Sequence, residues 1–393
     1  MSEIDCAEVS RRTFISLGAL GLVALGLPRR ASAKDAHRML YVGTYTEGTE
    51  SKGIYVVRMS ATGALGIAGV AATAVNPSFV SLSPNGRFAY AVNEIEKLDG
   101  RSTGGVTAFS RTRSTNVLRA LRQEPTGGAA PCYVSTDITG QFLFVANYTG
   151  GSVAVFPIAS DGGVGAATSF VQHVGRGPNT DRQEGPHAHC IIPDRSNRFV
   201  LVADLGLDRV FVYPFNAKTG VLTTTPVAGG AVAPGAGPRH LAFHPKADVL
   251  YVTNELDSTI TAFRYDRKTG SLVAMQTVPT VSRVEAATNS PADIHVHPSG
   301  RFLYMSNRGH NTIAAFAIDA RTAELRSLGH TSTGGDWPRN FAIAPNGKLL
   351  LVANQRSNDI HSFRIDATTG RLTATGHSVG VAAPVCLQFL PRA

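Results

Sequence analysis

A motif of roughly fifty residues recurs along this chain, and nothing else in the sequence limits its fold as strongly. The most regular copy opens with Gly237-Pro238-Arg239-His240-Leu241-Ala242-Phe243-His244-Pro245. It continues with Val249-Leu250-Tyr251-Val252-Thr253-Asn254-Glu255, Thr259-Ile260-Thr261-Ala262-Phe263 and Lys268-Thr269-Gly270-Ser271-Leu272. These blocks have strand length and are separated by turn residues, so each copy predicts four short strands, A to D. Marker prolines stand at Pro77, Pro131, Pro186, Pro238, Pro291, Pro338 and Pro384, at intervals of 54, 55, 52, 53, 47 and 46. After each of the first six comes an apolar strand A and a turn, explicit in Pro84-Asn85-Gly86 and Pro345-Asn346-Gly347. Strand B then ends on Asn93, Asn147, Asp204, Asn254, Asn307 or Asn354. Strand C ends on an aromatic residue, Phe109, Phe156, Tyr213, Phe263, Phe316 or Phe363.

The seventh proline, Pro384, opens a strand A over 385–390, and the chain then stops. Its missing B and C strands stand at the other end, over 40–44 and 53–57. A closed ring explains the split unit, because joining the termini removes two free sheet edges. An open stack of sheets or a β-helix has no need of it. The expected fold is all-β, a seven-bladed β-propeller closed by strands from both termini. Gly 40 and Pro 21 fit a chain with this many turns, and 43% hydrophobic residues are ample for a core.

The first 33 residues do not belong to the repeat. Ser10-Arg11-Arg12-Thr13-Phe14-Ile15 is a twin-arginine pattern, followed by an apolar run over 15–27 and by Ala31-Ser32-Ala33. That is the order of a cleavable export signal. The run of 13 residues is too short to span a bilayer comfortably. The division is therefore a twin-arginine signal peptide over 1–33 and a propeller over 34–393. It predicts a periplasmic or extracellular protein that meets the twin-arginine translocase during export. No membrane span is expected in the mature chain. The net charge of +9 comes without a basic arm or a nucleic-acid motif, so the expected partner is an anionic small molecule and no nucleic acid. Cys132, Cys190 and Cys386 lie in apolar runs and are widely spaced, which predicts buried free thiols.

In a propeller, strand A lines the central channel. The start of A and the end of B share one face. His187, His189, Arg239, His240, Asp293, His295, Arg339 and Asn340 stand at the A starts. Glu94, Asn147, Asp204, Glu255, Arg308 and Gln355 stand at the B ends. This is a polar mouth with anion-binding capacity and acid/base groups. The long polar insertion over 175–185 is expected to fold over it, bringing Arg182 and Gln183 to a ligand. Each residue also has a plainer reading. His189 and His295 need only bond a neighbouring backbone, and Arg239 and Arg308 need only bridge blades through Glu255 or Glu94. His244 and His297 precede the A–B turn at the opposite face and read as structural. The mouth lacks a converging carboxylate cage, so no metal or other cofactor is expected.

Several of these stretches together resemble the propeller-type 6-phosphogluconolactonase family, which includes the fungal carboxy-muconate lactonising enzymes. They are Arg182-Gln183-Glu184-Gly185-Pro186-His187-Ala188-His189, Gly237-Pro238-Arg239-His240, Thr253-Asn254-Glu255, Ser306-Asn307-Arg308-Gly309-His310 and Trp337-Pro338-Arg339-Asn340-Phe341. The resemblance covers residues 39 to 390. It implies a metal-independent hydrolase of a sugar-acid lactone, or a lactone-forming cycloisomerase as in the muconate branch. It places the muconate-branch site residues at His187, Arg239, Glu255 and Arg308. On this reading Glu255 and His187 are the acid/base pair, and Arg239 and Arg308 hold the anionic group and the oxyanion. Arg182, Gln183, His189, His240, Arg339, Asn340, Glu94 and Gln355 orient the substrate. Family likeness alone places such an enzyme in the cytoplasm with sugar phosphates, whereas the leader points to export. The competing class is a non-catalytic propeller that binds a ligand or partner.

Overall fold

The computed structural model describes residues 37–391. The twin-arginine leader expected over 1–33 lies outside the described residues. Seven antiparallel sheets follow one another along the chain, six of four strands and one of five. We number the blades 1 to 6 from the strands after Pro77, Pro131, Pro186, Pro238, Pro291 and Pro338, and call the closing blade 7. Regular helix among the described residues is limited to two short 3-10 turns, Leu205–Leu207 and Glu285–Thr288. No helix among them is long and apolar enough to cross a membrane.

The B strands explain the packing. Phe88–Asn93, Phe142–Asn147, Phe199–Asp204, Val249–Asn254 and Leu349–Asn354 are buried at every residue. Each is covered on both faces by neighbouring blades, so alternation gives way to a continuous apolar run. The core is accordingly divided among the blade interfaces. Leu250, Val252 and Phe263 of blade 4 pack with Leu201, Ala203 and Val212 of blade 3, for example. Polar staples repeat between blades. The hydroxyls of Tyr251 and Tyr304 donate to the carbonyls of Ala323 and Gly370, each at 2.7 Å, in the next blade's C–D turn. His244 and His297 have the expected structural role. Each ring accepts a backbone N–H at Nδ1 and donates from Nε2 to a carbonyl of the next blade, Gly300 at 2.9 Å and Gly347 at 2.8 Å.

Blade 7 joins the two ends of the chain. Pro384–Phe389 forms its inner strand and pairs with Arg38–Thr44, setting Val42 opposite Leu387 and Leu40 opposite Phe389. Leu387 then packs with Leu351 and Ala353 of blade 6. Cys132, Cys190 and Cys386 are free and buried, all on inner strands.

Blade 3 departs from the repeat as read in the sequence. In blades 4, 5 and 6 the marker proline lies opposite the asparagine of strand B, with Pro238 opposite Asn254, Pro291 opposite Asn307 and Pro338 opposite Asn354. In blade 3, Ala188 holds that place, opposite Asp204, so Pro186 lies two residues above the strand. His189, not His187, therefore occupies the position of Arg239 and Arg339. His187 stands higher, on the incoming loop.

Leu387→Ala should cost about 2–5 kcal/mol, as for other buried leucines. Removing 384–393 should abolish cooperative unfolding by opening the ring. Urea denaturation followed by circular dichroism measures both. A full-stability truncation would show that the ring does not depend on its closing strand.

Candidate functional site

Two stacked rings of residues build the mouth, one from each end of the A–B hairpin. The residue after the marker proline, or its register equivalent in blade 3, gives Ser78, Cys132, His189, Arg239, Ala292, Arg339 and Val385 in blades 1 to 7. The residue after Asn93, Asn147, Asp204, Asn254, Asn307, Asn354 and Thr44 gives Glu94, Tyr148, Leu205, Glu255, Arg308, Gln355 and Tyr45. The repeat makes these positions equivalent in backbone, and the sequence makes them different in chemistry.

Glu255 is the centre of one half. Its carboxylate lies 2.7 Å from Arg182 Nη2, 2.9 Å from Arg239 Nε and 2.7 Å from Arg308 Nη2. The Arg239 contact is an ion pair without hydrogen-bond alignment, because that Nε has no bonded acceptor. Burial opposes the charge on Glu255, but Arg308, Arg239 and Arg182 outweigh it and hold the carboxyl far below the usual range. A carboxylate so heavily paired is a weak base. Its evident work is to hold the guanidiniums, which departs from the acid/base role expected for it. Burial also draws Arg308 and Arg239 below the usual arginine range, while Glu255 supports their charge.

The remaining donors of these arginines are fixed as well. Arg239 Nη1 donates to the carbonyl of Ala292 at 2.8 Å, and Arg308 Nε to that of Ser290 at 2.9 Å. Arg239 Nη2 and Arg308 Nη1 have no protein partner among the described residues. Arg308 also stacks on Trp337, 5.4 Å from the ring centre, with Arg356 over the same ring at 3.5 Å. Trp337 has φ 66, a left-handed conformation that costs an aromatic residue strain and is held by its surroundings.

Arg339 anchors the other half. Its Nη2 donates to Tyr45 Oη at 2.8 Å, and Tyr45 donates to Glu94 Oε1 at 2.8 Å. Ser78 also donates to Glu94. The mouth thus holds Arg182, Arg239, Arg308 and Arg339 against Glu255 and Glu94, a surplus of positive charge.

Four histidines line the wall in different surroundings. His187 stacks on Tyr148 at 4.6 Å. Its Nδ1 meets the Tyr148 carbonyl at 3.1 Å and its Nε2 meets the exposed Glu184 at 3.2 Å. The buried carboxylate of Asp204 holds the backbone N–H of His187 at 2.8 Å and His173 Nδ1 at 2.6 Å. His189 lies between Tyr148 and His240, and its buried Nδ1 has no partner. Burial, Arg239, His240 and Arg339 push it well below the usual histidine range, so it stays neutral. Deeper in the channel, Asp293 joins His240 Nδ1 and His295 Nε2, each at 2.9 Å. Burial and Arg239 lower His240 to about 4, despite Asp293. Burial also opposes charge on His295, but Asp293 outweighs it and raises that histidine.

Other expected ligand residues have different surroundings. Gln183 is fully buried at the base of its loop. Its amide donates to the carbonyl of Leu205 and to Asp208, each at 2.8 Å, and accepts from the backbone of Asn179 at 3.1 Å. It holds the insertion in shape and has no group left for a ligand. Asn340 is likewise used, donating to Asp293 at 2.6 Å and accepting from the N–H of Leu387 at 2.7 Å. Gln355 keeps a buried, unpartnered Oε1. The insertion does bring Arg182 over the mouth as expected. Tyr45 and Tyr148 were missed, although counting one residue past every strand B finds both. Among the described residues, no three His, Cys, Asp or Glu side chains form a metal-binding group.

The family described as "Lactonase, 7-bladed beta-propeller" matches residues 39–389. The chain belongs to the seven-bladed β-propeller lactonases. A 6-phosphogluconolactonase of Bacillus subtilis is 38% identical to this lactonase-family chain over 351 residues, 89% of this chain and 97% of that one. One from Formosa agariphila is 34% identical, over 77% of this chain and 85% of its own. The structure of the periplasmic gluconolactonase of Pseudomonas aeruginosa superposes with a TM-score of 0.81 at 32% identity, covering 90% of this chain and 99% of that chain.

Glu255→Gln should destabilise the protein by about 3–5 kcal/mol, because buried guanidiniums lose their counter-charge. The Glu255 carboxyl is held below its unfolded value of about 4.3. The ion pairs therefore contribute fully above that pH, and their contribution is lost as the pH falls toward the depressed folded value. The stability gap between wild type and variant should be constant from about pH 7 to 5 and shrink in stronger acid. Urea titrations across that range measure it.

Proposed function

We propose that this protein hydrolyses the lactone of a sugar acid without a metal, using the mouth built around Glu255. The observation that carries the reading is the pair of unpartnered donors, Arg239 Nη2 and Arg308 Nη1, held by one buried carboxylate beside His187 and His189. Such donors suit a carbonyl oxygen that gains charge, because they need no reorganisation when it does. His189, neutral and unpartnered, takes a proton from the attacking water. The water oxygen bonds to the lactone carbonyl carbon, and Arg239 and Arg308 stabilise the oxyanion. The ring C–O bond then breaks, and His187 returns a proton to the leaving alkoxide. This takes Glu255 out of the acid/base pair expected with His187, makes His189 the base and gives His187 the part of the acid. Glu255 positions the arginines, and Arg182, Arg339, Tyr45 and Glu94 orient the sugar chain.

The surplus positive charge favours an anionic substrate, as the name of the Bacillus relative suggests. The name of the Pseudomonas relative favours an uncharged aldonolactone in the periplasm, and the twin-arginine pattern of this sequence supports export. A pH-stat assay of 6-phosphogluconolactone and gluconolactone decides between them, since either reaction releases one proton near neutral pH. Turnover of neither would replace the hydrolase reading with a cycloisomerase or a binding propeller. Ultraviolet absorbance of muconates tests the cycloisomerase.

His189→Gln and His187→Gln should each lower kcat by about 10²–10⁴. Because the base is held below the ordinary histidine value of about 6.5, the acid limb of the wild-type profile should lie below that pH. Rate should rise with pH through that low midpoint as His189 loses its proton. The His189 variant should lose this limb. A full rate in the His189 variant would remove it as the base.

A further inference from the structure

The A–B and C–D turns all lie at the face opposite the mouth, and that face is basic. Arg87, Arg198, Lys246, Arg301 and Lys348 project from the A–B turns of blades 1, 3, 4, 5 and 6, all exposed. The C–D turns of the same blades each add a further exposed lysine or arginine, and blade 7 adds Arg58 at the end of its strand C. Blade 2 has none in either turn.

Carboxylates offset this array only in part, because the turns carry more cations than anions. Asp266, Asp319 and Asp366 accept backbone N–H groups of their own C–D turns. Asp248 pairs with Arg267, the one ion pair at this face among the described residues. Where the A–B turn arginines are bonded, the acceptors are neutral. Arg301 donates to the carbonyls of Ala367 and Thr368, at 3.2 and 3.3 Å, and Arg198 donates to that of Arg267. Arg198 and Arg301 are thus held in place without a carboxylate partner. The lower rim also exposes the aliphatic side chains of Val117, Ile138, Val221 and Val273.

We propose that this face docks on the surface of an anionic phospholipid bilayer. Charge complementarity carries the choice. Mobile headgroups can gather beneath a broad arc of fixed cations, and short aliphatic side chains at its rim suit the interface. A single-stranded nucleic acid would need exposed aromatic rings to stack its bases, and among the described residues no exposed Phe, Tyr or Trp lies at this face. In this orientation the catalytic mouth faces away from the membrane and stays open to substrate in solution.

Vesicle co-sedimentation tests the proposal, using vesicles with about one-third phosphatidylglycerol against pure phosphatidylcholine. The full-length chain should bind the anionic vesicles at least roughly tenfold more tightly at low salt, with the difference lost at high salt. Arg87→Glu, Lys246→Glu and Lys348→Glu combined, in the same full-length chain, should weaken that binding by about a hundredfold or more. None of the three side chains bonds to a neighbouring blade among the described residues, and lactone turnover at the far face reports whether the variant is folded. Equal binding to both vesicles overturns the proposal. So does unchanged binding by the folded triple variant, or tighter binding to DNA than to the anionic vesicles at the same salt.

Discussion

The carboxylate of Glu255 is the point on which the mouth depends. Arg182 comes from the insertion before blade 3, Arg239 from an inner strand of blade 4 and Arg308 from the end of a B strand in blade 5. One buried anion ties three separate segments, and each guanidinium would otherwise repel the others. Breaking a buried pair of this kind costs far more than an exposed one, because the surviving charges cannot be solvated. The same interaction therefore sets the shape of the site and the donors it offers a substrate.

A rigid frame makes that arrangement possible. Sheets that pack on both faces, with polar staples from one blade to the next, leave the A starts and B ends little freedom. The ring is closed by pairing Pro384–Phe389 with Arg38–Thr44, so the seventh blade has an inner strand like the other six. Equivalent backbone positions then present a glutamate, an arginine, a tyrosine or a leucine at nearly equal height. Function on this scaffold is a matter of which side chain each blade contributes.

The two faces have opposite electrostatic roles. At the mouth, arginines are paired with Glu255 and Glu94, and the residual charge is focused in a channel. At the turns, arginines and lysines are spread over a broad face and bonded mainly to neutral carbonyls. The first arrangement suits a small ligand and the second an extended surface. Both arise from turn and strand-end positions, where the repeat tolerates variation.

The sequence by itself determined the all-β ring, its seven units, the closure by both termini and most residues of the mouth. These follow from periodic prolines, strand-length apolar runs and polar strand ends, all of which are local signals. Tertiary structure decided what local signals cannot carry. Pro186 resembles the other marker prolines, but hydrogen-bond register shifts blade 3 by two residues, so His189 takes the place that spacing gave to His187. Gln183 and Asn340 look like ligand residues in the chain, yet inter-segment hydrogen bonds use their amides. Glu255 looks like half of an acid/base pair until three guanidiniums from distant positions converge on it. Whether a polar side chain is spent or free depends on its neighbours in space, and those are set by packing between blades.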